Sequence, residues 1–240
     1  FVLISTPKDI PNFYKIFGNG SSLGISIHYV EQPQPKGIAQ SFILAKKHIS
    51  GRNTILILGD NLFYGNGAVS ALKNKETLFK DATIFAYEVH DPKRYGIVEV
   101  SQSGYPIRIV EKPQNPKSKW AVTGLYAYDR DVVEMAESLS PSSRGELEIT
   151  DLNNLYLKNK KLNIAYIGKG DAWLDTGTPE SLLAASNFVQ IIQERTGVQI
   201  GCIEESCFKN GFINRSKLRK IIKSMGKNNY RFYLEQILNN

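Results

Sequence analysis

The chain of 240 residues carries a net charge of +7, with 42% hydrophobic and 22% charged residues, an ordinary globular composition with length for one large domain or one domain and an appendage. No stretch approaches the roughly 18 apolar residues of a membrane span, there is no secretory h-region, and Cys202 and Cys207 lack the further ligands of a zinc site, so a cytoplasmic protein with reduced thiols and no membrane partner is expected. The positive excess is local: between Ser206 and Arg231 there are eight Lys and Arg and no acid, but no nucleic-acid-binding motif accompanies them, and they read as a solvated helix face.

Strand-like and helix-like segments alternate, the pattern of an α/β sheet. Residues 1–5 read as a strand and 8–17 as a helix ended by Gly18. Residues 26–31 alternate like a strand, 38–48 have helical spacing, and 54–58 form an apolar run that reads as a strand buried on both faces. A Gly-containing loop follows, then 68–80 and a strand at 83–89. Residues 96–101 and 106–112 flank Gln102-Ser103-Gly104 as a hairpin. A strand at 121–128, helices at 131–139 and 152–159, and a strand at 162–167 come next. Thr178 and Pro179 open a long helix that Gly197 closes, with a core-facing stripe of Leu182, Ala185, Val189 and Ile192. A helical tail spans 216–225.

Chemistry concentrates at strand ends, where open α/β sheets hold their ligands. Asp60 follows the buried run and Gly59, placed either to cap the next turn or to present a carboxylate to a divalent cation on phosphates. Asp175, between Trp173-Leu174 and Thr176-Gly177, has a similar setting, and two such acids suit a Mg2+ bound mostly by water and substrate. Gln32 offers the donor and acceptor that match a pyrimidine imide edge, and Gly37 permits backbone approach. Arg94-Tyr95-Gly96 and Glu111-Lys112-Pro113 sit at matching hairpin ends. There Glu111 is placed to accept sugar hydroxyls and Lys112 to meet a phosphate, or the two form a surface ion pair. No complete phosphate-binding G-x-x-x-x-G-K-[ST] loop, G-x-G-x-x-G or Ser/His/Asp arrangement is present.

Read together, Leu58-Gly59-Asp60-Asn61, Arg94-Tyr95-Gly96, Glu111-Lys112-Pro113, Val122-Thr123-Gly124-Leu125-Tyr126, the run from Arg144 to Asp151, and Trp173-Leu174-Asp175-Thr176-Gly177-Thr178 resemble, in this order, the bacterial glucose-1-phosphate thymidylyltransferases. The resemblance implies a Rossmann-like α/β nucleotidyltransferase fold: a mostly parallel mixed central sheet flanked by helices over 1–197, with a mostly helical segment over 198–240. It implies Mg2+-dependent formation of dTDP-glucose and pyrophosphate from dTTP and glucose 1-phosphate, toward dTDP-rhamnose and cell-surface polysaccharide. Asp60, Lys112 and Asp175 would be catalytic, with Asp60 and Asp175 holding the metal. Gln32, Gly37 and Asp60 would hold the nucleotide. Asn61, Tyr95, Gly96, Glu111, Lys112 and Val122 would hold the sugar phosphate. Family likeness further implies a homotetramer with a second nucleotide site for feedback.

The family pattern begins with a strand, a Gly-Gly-x-Gly-Thr-Arg-Leu loop and a downstream Lys, which would precede Phe1. The 240 residues alone are therefore expected not to catalyse nucleotidyl transfer, to lack an inner strand of the sheet, and to compare poorly in pyrophosphate release with a version extended upstream. A non-catalytic nucleotide-sugar-binding homologue is the alternative.

Overall fold

The computed structural model describes residues 1–239. Contacts divide the chain into two compact units, Phe1–Pro33 with the chain from Ser186 onward, and Gln34–Ala185. This partition differs from the expected boundary at residue 197, because the first segment of the chain packs with its last.

In the first unit, β1 (Val2–Ser5) lies parallel to β2 (His28–Glu31), Val2 opposite His28, with the helix Ile10–Phe17 connecting them. The helices Ile203–Lys209, Arg215–Ser224 and Asn229–Asn239 supply Cys207, Leu218 and Leu234 to a core that also takes Leu23. Asn214 caps the second of these helices, its side chain accepting the Lys217 N–H at 2.9 Å. The 216–225 expectation thus corresponds to Arg215–Ser224, whereas the two helices flanking it were expected only in outline, as parts of a mostly helical segment over 198–240. Gly24 has φ +73°, and a Cβ there would stand 1.9 Å from the Phe212 carbonyl oxygen. Overpacking combined with a left-handed non-glycine residue costs roughly 2–4 kcal/mol. Gly24→Ala is accordingly expected to lower the urea midpoint of unfolding, and an unchanged midpoint would contradict this close approach.

The second unit holds β3 (Thr54–Ile57), β4 (Asn61–Tyr64), β5 (Ala82–Glu88), β6 (Gly96–Val100), β7 (Pro106–Glu111), β8 (Trp120–Tyr128), β9 (Leu162–Tyr166) and β10 (Ala172–Asp175). Six of them form one sheet in the order β7-β6-β8-β5-β9, with β3 also beside β8. The nine-residue β8 pairs with β5, with β3 (Ile57 opposite Leu125) and with β6 (Ile97 opposite Ala121). Period-two alternation along β8 sends Tyr126 and Tyr128 into a core shared with the helical residues Val132, Leu152 and Tyr156. It sends Leu125 and Ala127 into a second core with Ala68 and Leu78. Helices therefore flank the sheet on both faces, and the α/β class is the expected one.

Two expectations are corrected. The sheet is mixed but mostly antiparallel: β3, β5 and β6 all oppose β8, β7 opposes β6, and only β5–β9 is parallel in it. The reason is that β8 enters antiparallel among strands of one direction and the β6–β7 hairpin extends it, connections that need no helical crossover. Nor is β3 buried on both faces. Leu56 and Leu58 pack on the core, whereas Ile55 and Ile57 are 46% and 57% exposed, so the strand alternates.

Smaller differences follow from local breaks. The 38–48 helix is two short ones, Gln40–Leu44 and Lys46–Ile49, and 68–80 divides into Gly67–Lys73 and Lys75–Leu78 around Asn74. On the helix Pro179–Thr196, Ser181 N–H donates to the Thr178 hydroxyl at 3.2 Å, as expected of a cap. Of its anticipated stripe, Ala185 is buried but Leu182 is exposed.

Candidate active site

The β4–β10 pair brings the two acids together. Asp175 stands opposite Asn61 in register, and Thr176 donates its N–H and its hydroxyl to the Asp60 carbonyl at 2.8 and 2.9 Å. Each acid uses one carboxylate oxygen locally: Asp60 Oδ1 accepts from Asn61 Nδ2 at 2.7 Å, and Asp175 Oδ1 accepts from Gly177 N–H at 3.1 Å. Among the described residues, nothing donates to the second oxygen of either.

The β6–β7 hairpin supplies a wall. Gly96 faces Glu111 in register, and a Cβ at residue 96 would stand 3.0 Å from Glu111 Oε2. That glycine leaves the carboxylate room to accept the Thr150 hydroxyl at 3.0 Å. Lys112 follows with φ +42°, a left-handed conformation that disfavours a side chain by about 1–2 kcal/mol, and its N–H is held by the Tyr95 carbonyl at 3.1 Å. Lys112 is exposed and forms no ion pair among the described residues. Glu111 is engaged by Thr150 instead, so the two do not make the surface pair that the sequence allowed. Backbone strain at an unpaired, exposed cation is the sort that accumulates at functional sites.

The floor comes from β8, whose alternation places Val122, Gly124 and Tyr126 on one face. Tyr126 is 4% exposed and stacks on Tyr128. Burial, with Glu111 and Asp60 adding, raises its pKa well above the ordinary phenol value, so the hydroxyl stays neutral and able to donate. Burial also raises Tyr95, with Arg94 opposing and Asp175 and Asp91 adding. The Trp173 indole closes the side, its ring 5.1 Å from that of Tyr95.

These residues line one cavity of about 250 Å³. Eight of the residues singled out in the sequence border it: Asp60, Asn61, Tyr95, Gly96, Glu111, Lys112, Val122 and Asp175. Gly37 does not border it. With φ +94°, a Cβ there would lie 2.3 Å from the Leu147 carbonyl oxygen, and Leu147 N–H donates to the Lys36 carbonyl at 2.8 Å, so the close approach this glycine permits is to Leu147. Gln32 belongs to the first unit, where its N–H bonds the Ser5 carbonyl at 2.8 Å.

Tyr126, Thr150, Asn153 and Trp173 also line the cavity and were given no role from sequence. Period two from Val122 pointed to Tyr126. Thr150 and Trp173 stood inside recognised motifs, but the contacts that place them are long-range.

As a metal site, the donor set fits Mg2+: two hard carboxylates, each with an oxygen to spare, match an ion that takes one or two carboxylates and completes its shell with water and phosphate. The described residues contain no cluster of three or more metal-ligating side chains, so a metal here would rest on this pair.

The sequence model of the nucleotidyl transferase family matches residues 1–191, which makes this chain a nucleotidyl transferase. It is 46% identical over 99% of its length to the glucose-1-phosphate thymidylyltransferase of Neisseria meningitidis, covering 82% of that protein. The enzyme of the same description from Mycobacterium tuberculosis is 42% identical, with 98% and 82% covered. A crystal structure from Bacillus anthracis, described as a glucose-1-phosphate thymidylyltransferase in complex with a sucrose, superposes with a TM-score of 0.70 at 34% identity, covering 78% of this chain and 74% of that one. A UDP-glucose pyrophosphorylase complexed with UDP-glucose shares the fold, with a TM-score of 0.68 at 21% identity over 79% of this chain and 81% of that one. The chain belongs to the glucose-1-phosphate thymidylyltransferases, a family of enzymes.

Proposed function

We propose that this enzyme joins dTTP and glucose 1-phosphate into dTDP-glucose and pyrophosphate. The observation that carries the reading is the convergence on one cavity of the Glu111 carboxylate, an unpaired cation and two acids with free oxygens. Glu111 accepts sugar hydroxyls and Tyr126 donates to the sugar from the floor. The Lys112 ammonium holds the sugar phosphate as a point charge. An oxygen of the sugar phosphate attacks the α-phosphorus of dTTP in line; the new P–O bond forms as the bond to pyrophosphate breaks, with no covalent enzyme intermediate and no proton needed by the anionic nucleophile. The chain's contribution is positioning and charge neutralisation. A bound Mg2+ on Asp60 and Asp175 would neutralise charge on the phosphates.

Likeness to a family of enzymes favours turnover over a non-catalytic nucleotide-sugar-binding homologue, with kinetics read in the version extended upstream. The cytoplasmic location, the homotetramer with a feedback site and the supply of dTDP-rhamnose synthesis belong to the same proposal through family likeness. No helix among the described residues is long and apolar enough to cross a membrane.

Saturation-transfer NMR tests the site. Glucose 1-phosphate is expected to bind more tightly than glucose, and Glu111→Ala is expected to weaken it roughly 10-fold, the worth of a charged hydrogen bond of about 1.5 kcal/mol. Equal binding of the two sugars, or no effect of the substitution, would contradict it.

A further inference from the structure

Asn61 lines the cavity, yet three of the four hydrogen-bonding positions of its side chain are already committed. Its Oδ1 accepts the Gly124 N–H at 2.9 Å and the Trp173 indole N–H at 2.6 Å. Its Nδ2 donates to Asp60 Oδ1 at 2.7 Å. An amide oxygen has two lone pairs and both are taken, so it cannot accept from a sugar hydroxyl. The two N–H donors also fix which way the amide faces, because the flipped amide would set N–H against N–H. Nδ2 is thereby directed at Asp60. Gly124 is shaped to this arrangement: a Cβ there would stand 2.6 Å from Asn61 Oδ1 and 2.7 Å from Nδ2, so any side chain at 124 evicts the amide.

We propose that Asn61 acts as a positioning residue and not as an acceptor of sugar hydroxyls: it ties β4 to β8 and β10 and turns the Asp60 carboxylate so that Oδ2 faces the cavity. The proposal rests on the reading of this cavity as a sugar-phosphate and metal site. A carboxylate that binds a cation through one oxygen and is hydrogen-bonded through the other is held in place by its outer partner, and losing such a partner typically costs 10–100-fold in metal affinity. A free carboxylate at Asp60 would instead rotate, and its open oxygen would face the cavity only part of the time.

Two probes separate the roles in the intact protein. Mn2+ affinity is measured from the electron paramagnetic resonance signal of free Mn2+, and glucose 1-phosphate affinity by NMR without metal. Asn61→Ala is expected to weaken Mn2+ roughly 10–100-fold while shifting glucose 1-phosphate affinity by less than about 3-fold, under 1 kcal/mol. Gly124→Ala, which leaves residue 61 unchanged, is expected to reproduce the Mn2+ loss. Trp173→Phe removes one donor to Oδ1 but spares the bond to Asp60, and is expected to keep Mn2+ affinity within about 3-fold. Lost sugar-phosphate affinity with Mn2+ affinity intact would overturn the proposal in favour of a sugar ligand. Equal loss of both would reduce Asn61 to a general structural role, and no loss of either would leave it without a role; both overturn the proposal. If the unsubstituted protein binds neither probe, the functional reading beneath it fails instead.

Discussion

In the version extended upstream, Asp175→Asn is expected to lower kcat by roughly 10²–10³-fold at saturating Mg2+, while glucose 1-phosphate affinity measured without metal changes by less than about 3-fold. The magnitude follows from the several kcal/mol that a metal contributes against developing charge, at about 1.4 kcal/mol per factor of ten. The selectivity follows from structure. Asp175 stands opposite Asn61 on β10, with Oδ1 held by the Gly177 N–H. The sugar-facing carboxylate, Glu111, is on a different strand and held by Thr150. Asn at 175 keeps the local hydrogen bond through its amide oxygen, while the open oxygen becomes an NH2 group that carries no charge and cannot ligate a cation. Steady-state kinetics across a Mg2+ titration reads this directly. Unchanged turnover, or an equal loss of sugar-phosphate affinity, would place the metal-binding role elsewhere.

In the same extended version, Lys112→Ala is expected to cost roughly 10- to 150-fold in kcat/KM for glucose 1-phosphate, the kinetic equivalent of a charge-assisted hydrogen bond of about 1.5–3 kcal/mol. Because Lys112 is exposed, salt should screen its attraction for phosphate, and the deficit should shrink as ionic strength rises. Its backbone offers a second check. At φ +42° a glycine is relaxed where lysine is strained, so Lys112→Gly is expected to lose the same kcat/KM yet stabilise the fold by about 1 kcal/mol. Kinetics that stay flat in both variants would mean that the cation does not meet the phosphate.

The chemistry of this site was more legible in the sequence than its framework. Asp60, Glu111, Lys112 and Asp175 announced themselves as polar residues at the ends of apolar runs, because a strand end beside glycine is a local pattern. The short strands β4 and β10 did not, since four residues bounded by glycines carry too little periodicity to separate from a loop; only their mutual pairing makes them strands, and that contact spans more than a hundred residues. Strand direction was misjudged for a related reason. Ile55–Leu58 reads as a continuous apolar run whether it lies in a parallel or an antiparallel sheet, and its partner β8 is far along the chain. Gly37 shows the opposite case. The sequence marks it as a place of close approach, but the approaching group, the Leu147 backbone, appears only in three dimensions. Asn61 was assigned to the sugar phosphate through the family resemblance; its hydrogen bonds to Gly124 and Trp173 link distant parts of the chain and appear only in three dimensions.

The central claim is that sugar phosphate and metal share the cavity walled by Glu111, Lys112, Asp60 and Asp175. Its most direct test is the phosphorus NMR line of glucose 1-phosphate in the presence of the protein and substoichiometric Mn2+. Strong paramagnetic broadening is expected with the unsubstituted protein, beyond that caused by free Mn2+, and it should collapse in Asp175→Asn while the sugar phosphate still binds. Binding without enhanced broadening in the unsubstituted protein, or broadening that survives the loss of Asp175, would contradict a shared site.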